Sequence, residues 1–297
     1  MTHDHITKLR VGEIVAGYRI EGVLGSGGVG RVYLARDMAR HRTVAIKLVD
    51  PRRQRPQELV REARLAASLD HPSICAIYGV DYLGEEPFLV MQHVKGIPLS
   101  KVIRSRRSVS VTTALDFARQ IASAVAHAHD RGIIHGDLKS SNVMIGPDGH
   151  VTLLDFGLAV RRSADAGGWE LDSTRLSQTS GGAAGTVPYM APEILRGQPP
   201  SVQSDIWALG VLLFEMLVGR RPFVGNTPYE MASNILINQR TRMESVVQGP
   251  IREVIDRCLS VDPAARYGAV DELAAAFRLL RRPRRDWAME NDASVSV

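Results

Sequence analysis

The chain has 297 residues, a formal net charge of +5 and 44% hydrophobic residues, enough apolar material for one large domain or two lobes with a packed core. Its two cysteines, Cys75 and Cys258, are far apart in the sequence, which argues against a disulfide framework and predicts a cytoplasmic protein. The N-terminal residues do not resemble a signal peptide, and the longest apolar run, residues 207–219, is too short to span a membrane.

Residues 1–17 are expected to be a poorly ordered lead-in, and residues 18–24 and 31–35 are predicted to be strands. The loop between these strands reads Gly-Ser-Gly-Gly-Val-Gly over residues 25–30, and its four glycines predict a tight turn whose backbone can approach a ligand closely. In a dinucleotide-binding fold such a loop opens a helix, whereas here it opens a strand. The sequence therefore disfavours a dinucleotide site.

A third strand is predicted at residues 44–49, with Lys47 at its centre. A lysine that keeps its head in water at a sheet edge is one interpretation, because a buried ammonium group is costly unless it is paired. The helix predicted from Pro56 to about residue 69 carries Glu62 on an otherwise apolar face. Glu62 is thus the natural partner of Lys47, and Glu58 is the less favoured alternative.

Two further strands are predicted at residues 74–82 and 87–91, and residues 92–96 lead out of this sheet. The pattern then changes from strands to helices, with a short helix at residues 99–104 and a long one at residues 111–131. Histidines 127 and 129 on the long helix are interpreted as packing or surface residues rather than metal ligands.

A β-hairpin is predicted where two β-rich runs, residues 143–145 and 151–154, flank the turn sequence Gly-Pro-Asp-Gly at residues 146–149. A hairpin brings both of its ends to the same side. Asn142 and Asp155, which flank the two strands, are therefore expected to be neighbours.

Asp137 and Lys139 lie just before this hairpin, so two carboxylates, an amide oxygen and an ammonium group converge. An aspartate before a turn is usually a cap or a solvated loop residue, but four such groups around one hairpin favour a site. The oxygens of Asn142 and Asp155 suit Mg²⁺, which takes few protein ligands and shares the rest with phosphates. Asp137 is then left to accept a proton.

These residues resemble motifs of the protein kinase family. His-Gly-Asp-Leu-Lys-Ser-Ser-Asn at residues 135–142, followed by Asp-Phe-Gly at residues 155–157, resembles the catalytic loop and metal-binding motif. Residues 25–30 resemble the glycine-rich lid over phosphates. After a long polar loop at residues 158–185, the sequence at residues 185–193 resembles the end of an activation segment. Arg266 stands where kinases carry the arginine that pairs with the glutamate of that segment.

The match extends over residues 18–280 and implies an α+β, bilobal protein kinase fold. The small β-rich lobe with one helix would comprise residues 18–91, the hinge residues 92–95, and the larger, mainly helical lobe residues 96–285. Residues 286–297 are expected to be a disordered tail. ATP would lie in the cleft.

The resemblance also implies site residues. Asp137 would accept the proton of the substrate hydroxyl, Lys139 would stabilise the transferring phosphoryl group, and Thr186 would contact both. Lys47, paired with Glu62, would reach the α- and β-phosphates, while Asn142 and Asp155 would hold Mg²⁺, with Mn²⁺ as an alternative. The residues implied to contact ATP are Leu24, Gly25, Ser26, Gly27, Gly28, Val29, Gly30, Val32, Ala45, Lys47, Met91, Gln92, Val94 and Met144.

Lys139 and the Gly-Thr-Val-Pro-Tyr-Met segment at residues 185–190 resemble the Ser/Thr-specific branch of the family. The glycine-rich loop and the strand after it resemble bacterial eukaryotic-like, or Hanks-type, kinases. The implied activity is transfer of the γ-phosphoryl group of Mg-ATP to serine and threonine hydroxyls of proteins, with autophosphorylation. The arginine clusters are interpreted as solvated surface, so a protein substrate and no nucleic acid are expected, and an oligomer is possible.

Gly136 departs from the pattern, because most protein kinases have arginine there to bind a phosphate on the activation loop. We therefore expect activity that does not depend strongly on such a phosphate, although Arg161 and Arg162 offer substitute cations. Autophosphorylation can still occur at the hydroxyl residues of the loop, which are Ser173, Thr174, Ser177, Thr179 and Ser180.

Two alternatives remain. His-Gly-Asp also occurs in small-molecule phosphotransferases, such as aminoglycoside and choline kinases, but these lack the Ala-Pro-Glu segment at residues 191–193 and the Arg266 motif. A nucleotide-binding pseudokinase scaffold is disfavoured because Lys47, Asp137 and Asp155 are all present.

Overall fold

The computed structural model describes residues 8–26, 30–51, 55–106, 108–155, 160–161, 186–241, 243, 247 and 249–280, and only the backbone of residues 58, 62, 160 and 161. The described residues form two compact units. The first contains residues 8–70 and 75–94, and the second contains residues 71–74 together with those from 95 onwards. The predicted C-terminal tail lies outside the described residues.

The first unit is a six-stranded antiparallel sheet with the strand order β1-β2-β3-β4-β6-β5. Consecutive strands pair directly, except that β6 lies between β4 and β5. The strands are β1 (Ile14–Val15), β2 (Tyr18–Ser26), β3 (Gly30–Asp37), β4 (Arg42–Val49), β5 (Ile77–Leu83) and β6 (Glu86–Gln92), and the helix α1 (Pro56–Ala67) precedes β5.

Alternation along β4 distributes its side chains between two apolar clusters. Val44, Ile46 and Leu48 pack in the larger cluster, together with Ile20, Tyr33 and Phe88 of neighbouring strands. Val49 points to the other face and packs with Leu59 and Ala63 of α1. Because side chains two residues apart share a face, Lys47 lies on the α1 side of the sheet.

Residues 8–17 were expected to be poorly ordered, but they are part of this unit. Ile14 pairs with Arg19 and Val15 with Tyr18 across β1 and β2. Leu9 is buried in the larger apolar cluster, and its backbone N–H donates to the hydroxyl of Tyr33 at 3.2 Å. Burial of two apolar side chains, Leu9 and Val15, holds the segment against the sheet.

The second unit is mainly helical. Its helices are α2 (Leu99–Arg106), α3 (Val111–Asp130), α4 (Pro192–Leu195), α5 (Val202–Val218), α6 (Pro228–Leu236), α7 (Pro250–Cys258) and α8 (Val270–Leu280). Its short strands are β7 (Ile97–Pro98), β8 (Ile133–Ile134), β9 (Val143–Ile145), β10 (Val151–Leu153) and β11 (Val160–Arg161). They form one sheet with the order β10-β9-β7 and a pair β11-β8.

Helix α5 is the buried centre of the second unit and contains most of the apolar run at residues 207–219. It begins at Val202, earlier than that run, because Ser201 and Ser204 form a reciprocal capping box. It ends at Gly219, whose left-handed conformation (φ 76°) closes the last turn. Trp207 of α5 is fully buried and stacks on Phe223, with ring centroids 5.4 Å apart.

The structure of residues 71–74 differs from what was predicted, which was a strand beginning at residue 74. Ile74 forms a parallel bridge with Leu153, and the backbone N–H of Leu153 donates to the carbonyl of Ser73 at 2.8 Å. The segment is thus held by β10 of the second unit, and β5 begins only at Ile77. The remaining architecture, a β-sheet unit with one helix and a mainly helical unit, confirms the predicted α+β fold.

Close helix packing at Gly210 gives a stability prediction. A Cβ atom at this position of α5 would lie 2.5 Å from the Cβ of Cys258 in α7. We expect Gly210→Ala to lower the free energy of unfolding by about 1–3 kcal/mol, because overpacking forces the two helices apart. Urea unfolding followed by circular dichroism measures this change.

Gly22→Ala is the matched control, since nothing lies within 4 Å of a Cβ atom at Gly22. An equal loss of stability in both variants would contradict the packing explanation.

Candidate functional site

The predicted β9–β10 hairpin forms and positions the two candidate metal ligands. Val143 pairs with Leu153 and Ile145 with Val151. Beyond the last pair, the backbone N–H of Leu154 donates to the carbonyl of Asn142 at 2.8 Å. Asn142 and the residue after Leu154, which is Asp155, are therefore brought to the same end of the hairpin.

Asp155 has a left-handed backbone (φ 61°), which is uncommon for a residue other than glycine. Such conformations persist where the surrounding structure enforces them, and they are concentrated at functional sites. The two residues that follow Asp155 in the predicted Asp-Phe-Gly motif, Phe156 and Gly157, lie outside the described residues.

Polar side chains converge on Asp137 in the loop before the hairpin. Its Oδ2 accepts hydrogen bonds from Lys139 Nζ at 2.7 Å and from Asn142 Nδ2 at 3.2 Å. Lys139 Nζ also donates to Thr186 Oγ1 at 3.1 Å. Asp137 Oδ1 is buried and has no hydrogen-bond partner among the described residues. The loop therefore holds a carboxylate beside a cation that is fixed by two hydrogen bonds.

The amide of Asn142 is oriented by this arrangement. Its Nδ2 also donates to the backbone carbonyl of Asp137 at 3.1 Å. Since both bonds engage the nitrogen, Oδ1 is left as the acceptor, and it receives only a long bond of 3.5 Å from Ser141 Oγ. An amide oxygen and the Asp155 carboxylate are hard oxygen ligands of the kind that divalent cations such as Mg²⁺ prefer. The residues present therefore fit such an ion.

The loop is held in place by the carboxylate of Asp205, which is 1% exposed in the first turn of α5. Asp205 Oδ2 accepts the backbone N–H of His135 at 2.9 Å and His129 Nε2 at 2.8 Å, while Oδ1 accepts the N–H of Gly136 at 3.0 Å. Burial alone would raise the pKa of Asp205, but the hydrogen bonds from His129 and from the backbone of Gly136 outweigh it and lower the pKa. The carboxylate is thus ionised, and both of its oxygens accept hydrogen bonds.

His135 and Gly136 fit this carboxylate in different ways. Burial lowers the pKa of His135, so its neutral ring accepts the backbone N–H of Asp137 on Nδ1 at 3.2 Å. Gly136 has φ 73°, a left-handed conformation that glycine adopts without steric cost. The backbone at Gly136, immediately before Asp137, is therefore held in place without conformational strain.

A second buried network joins the loop to the segment after residue 185. Ser140 Oγ lies 2.8 Å from the hydroxyl of Tyr189, and that hydroxyl donates to Glu215 Oε2 at 2.6 Å. Burial raises the pKa of Glu215, although the Tyr189 bond and the charge of Arg221, 3.8 Å away, oppose the shift. Burial and the Glu215 carboxylate also raise the pKa of Tyr189.

The predicted pair of Glu193 and Arg266 is present. Arg266 Nη1 and Nη2 donate to the two carboxylate oxygens of Glu193 at 2.7 and 2.8 Å. The arginine is 2% exposed and the glutamate 4%. Two parallel hydrogen bonds in a buried ion pair fix the orientation of both side chains. The Glu193–Arg266 pair therefore connects α4 to the loop before α8.

Lys47 in the first unit is only 8% exposed, so the edge-strand interpretation is wrong. It lies in the middle of the sheet, between Val32 of β3 and Leu89 of β6. The side chains of Glu58 and Glu62 lie outside the described residues, so the predicted pair with Lys47 stays a prediction.

The structure describes most of the other predicted nucleotide-contacting residues. Leu24 and Gly25 lie in β2, Val32 in β3, Ala45 in β4, and Met91 and Gln92 in β6. Gly30 packs so closely on β4 that a Cβ atom would collide with the carbonyl of Leu48. Gly27, Gly28 and Val29 of the glycine-rich loop lie outside the described residues, and Met144 lies in β9 of the second unit.

Three residues that hold the loop were not predicted from the sequence, namely Asp205, His129 and Tyr189. One signal was available, because Asp205 and Glu215 are the two acidic residues of a helix that is otherwise almost entirely apolar. Buried carboxylates require hydrogen-bonding partners. The partner of each lies too far away in the sequence to be read from a local pattern.

The chain matches the family model of the protein kinase domain over residues 18–277, and it belongs to that family. It is 36% identical over 279 residues to the serine/threonine-protein kinase PrkC of Bacillus subtilis, covering 90% of this chain and 41% of that protein. It is 34% identical over 289 residues to the serine/threonine-protein kinase PknA of Mycobacterium tuberculosis, covering 93% of this chain and 65% of PknA. The chain thus spans less than two thirds of either relative.

A third similar protein, the serine/threonine-protein kinase PknB of Mycolicibacterium smegmatis, is 32% identical over 269 residues, which are 87% of this chain and 42% of PknB. All three relatives are bacterial, in agreement with the predicted resemblance to bacterial eukaryotic-like kinases. No helix in the described part of the chain has the length and apolar character needed to cross a membrane.

The raised pKa of Glu215 gives a testable pH dependence. In the folded state this carboxyl binds its proton more tightly than its ordinary pKa of 4.5 implies, so the free energy of unfolding falls as pH rises from 4.5 through the folded-state pKa. In Glu215→Gln this titration is removed while the amide oxygen can still accept from Tyr189. We expect the variant to gain stability relative to the unaltered chain as pH rises, as measured by urea unfolding between pH 4.5 and 8.

Glu253→Gln, which removes an exposed carboxylate from α7, is the control and should leave the shape of the pH profile unchanged. Parallel profiles for Glu215→Gln and the unaltered chain would contradict the prediction.

Proposed function

We propose that this chain is a serine/threonine protein kinase that transfers the γ-phosphoryl group of Mg-ATP to hydroxyl groups of proteins, with autophosphorylation. The observation that carries the proposal is the contact of Lys139 Nζ with both Asp137 Oδ2, at 2.7 Å, and Thr186 Oγ1, at 3.1 Å. It places a proton acceptor and a cation side by side. The printed names of the bacterial relatives support the choice of serine and threonine.

The chemistry follows from these groups. Asp137 is assigned to accept the proton of an incoming hydroxyl, with its Oδ2 fixed by Lys139 and Asn142. Lys139, held between Asp137 and Thr186, neutralises charge on the phosphoryl group during transfer. There is little covalent chemistry for the protein to perform, so catalysis is mainly positioning and charge neutralisation.

Protein kinases use ATP with a divalent cation, and we assign Mg²⁺, or Mn²⁺ in its place, to Asn142 Oδ1 and the carboxylate of Asp155. A divalent ion held by these two residues would neutralise negative charge on the phosphates. The Asn142 amide supports the assignment, because both of its N–H bonds are directed to Asp137.

The nucleotide contacts proposed for the first unit are those of the glycine-rich loop, Lys47, and the strand positions already named. The low exposure of Lys47 supports its role, since a desolvated ammonium group attracts phosphate strongly. Leu24, Val32 and Ala45 are apolar and suit the faces of a base, and Met144 is the apolar residue assigned to the second unit. Gln92 and Val94 are assigned backbone hydrogen bonds to the base.

The bounds of the lobes, residues 18–91 and 96–285 joined by a hinge at residues 92–95, also remain a proposal. So does a cytoplasmic location, which the presence of only two cysteines in the sequence supports. The expected acceptor is a protein.

Replacing Asp137 tests the activity. We expect Asp137→Asn to lower transfer of labelled phosphate from Mg-ATP to a generic basic protein by about 10²–10⁴-fold, because the proton acceptor is lost, while ATP binding persists. Label should appear on serine and threonine. Asp130→Asn, at the exposed end of α3, is the control and should retain activity.

An aminoglycoside offered in parallel tests the second enzyme class. Label on the small molecule alone would overturn the proposal in favour of a small-molecule phosphotransferase. Binding of ATP without transfer to any acceptor would favour the scaffold alternative.

Gly136 supports a further proposal, that activity does not depend strongly on a phosphate in the activation segment. Gly136 has no side chain to bind one, and Asp205 already fixes its backbone. We expect simultaneous replacement of Ser173, Thr174, Ser177, Thr179 and Ser180 by alanine to change the turnover of a peptide substrate by less than about tenfold.

Mass spectrometry of both proteins would establish that the unaltered chain carries phosphate that the alanine variant lacks. Loss of all turnover in the variant would refute this proposal. These five residues lie outside the described residues.

A further inference from the structure

Residues 71–74, α3 and the β9–β10 turn surround a cavity of about 350 Å³ that lies entirely within the second unit. A volume of this size is in the range of small-ligand sites. None of its side chains has a role in the phosphoryl transfer proposed above. The polar side chains that matter below are His71, Arg119, Gln120, Ser123, Asp148 and His150.

The walls of the cavity are tied to one another. Gln120 of α3 binds the turn at two points, with Nε2 donating to the carbonyl of Gly149 at 3.2 Å and Oε1 accepting the N–H of Val151 at 2.9 Å. His150 Nε2 donates to the carbonyl of Pro72 at 2.9 Å. Hydrogen bonds thus join all three elements, and the cavity is formed before any ligand binds.

Arg119 supplies the positive charge of the cavity. Its Nε is buried and has no hydrogen-bond partner among the described residues, and no ion pair of Arg119 is found among them either. Arginine stays protonated in proteins, and a buried donor without a partner is unfavourable. Because Nε itself is closed to solvent, a ligand in the cavity would accept hydrogen bonds from the terminal nitrogens of the same guanidinium.

Ser123 can supply a second donor. The ring of His71 accepts the backbone N–H of Ser73 on Nδ1 at 3.0 Å, so its proton is on Nε2, which donates to Ser123 Oγ at 3.1 Å. The hydroxyl oxygen of Ser123 therefore acts as the acceptor, and its own hydrogen is left to donate. Ser123 is exposed, so this O–H is accessible from solvent.

Asp148 is the carboxylate of the lining. It is exposed, and its Oδ1 accepts the backbone N–H of His150 at 3.0 Å. Part of its charge is thus compensated by the turn, at the solvent side of the cavity. The positive charge of Arg119, which has no ion-pair partner in the part of the chain that the structure describes, is the group that selects the ligand.

We propose that this cavity binds a phosphate monoester, with Arg119 as the charged anchor and Ser123 as a further donor. A guanidinium fork together with a hydroxyl offers donors from more than one direction, which suits a phosphate with three acceptor oxygens better than a planar carboxylate. Free inorganic phosphate and a phosphorylated serine share this chemistry. The proposal does not depend on the proposed kinase activity.

The test is a titration of the full chain, in a buffer without phosphate, observed by NMR at the Arg119 Nε–H and the His150 ring. The ligands are inorganic phosphate, N-acetyl-O-phosphoserine methylamide and the same serine derivative without phosphate. We expect saturable shifts with the two phosphates and none with the unphosphorylated derivative. Tighter binding of the phosphoserine derivative would identify a phosphorylated segment as the source, and tighter binding of inorganic phosphate would identify the free ion.

Arg119→Gln should weaken binding by about tenfold or more, because a charge-assisted hydrogen bond is lost. Ser123→Asp places a carboxylate at the exposed side of the cavity, and this carboxylate can still accept the hydrogen bond from His71. Because it repels an anion, we expect this variant to abolish binding. It keeps the proposal testable if Arg119→Gln fails to fold. Arg278→Gln removes an exposed arginine from α8 and should leave the affinity unchanged. Absence of saturable shifts, or full affinity in Ser123→Asp, would overturn the proposal.

Discussion

The buried carboxylate of Asp205 is the interaction on which the geometry of the second unit depends. A charge that is 1% exposed must be compensated where it lies, and its position in the first turn of α5 supplies part of that compensation through the helix dipole. The rest comes from the N–H groups of His135 and Gly136 and from His129. The most buried helix of the unit thereby dictates the backbone path into Asp137.

Further buried contacts connect helix α5 and the loop around Asp137 to the segment that begins at residue 186. Ser140, three residues after Asp137, is hydrogen-bonded to the hydroxyl of Tyr189. That hydroxyl donates to Glu215 of the same helix α5. The Glu193–Arg266 pair then fixes the helix that follows Tyr189. Breaking a buried pair of this kind by removing one partner typically costs about 3–5 kcal/mol, so the segment around residues 186–195 is held as firmly as the core.

Local patterns in the sequence were sufficient for most strands of the first unit, for the helices α1, α2 and α3, and for part of the site. The turn residues at 146–149 defined the β9–β10 hairpin, and its geometry brought Asn142 to the end where Asp155 follows. Alternation placed Lys47 on one face of β4, but not its degree of burial, because that depends on strand order and on β6, which is distant in sequence. Asp205 binds residues 69 and 70 positions away, and no periodicity encodes such a contact. Leu9 and Val15 were missed because the apolar residues of this segment, which include Val11 and Ile14, follow neither a helical nor a strand period.

The hold of Asp205 on the loop also limits how the molecule can move. Opening the loop around Asp137 would leave a negative charge in an apolar interior, so the opening is as unfavourable as unpacking the N-terminal end of α5. The amide hydrogens of His135 and Gly136 should therefore exchange with solvent at rates typical of the helical core rather than of a surface loop. Heat inactivation would then coincide with cooperative unfolding of the whole second unit, since the loop cannot loosen on its own.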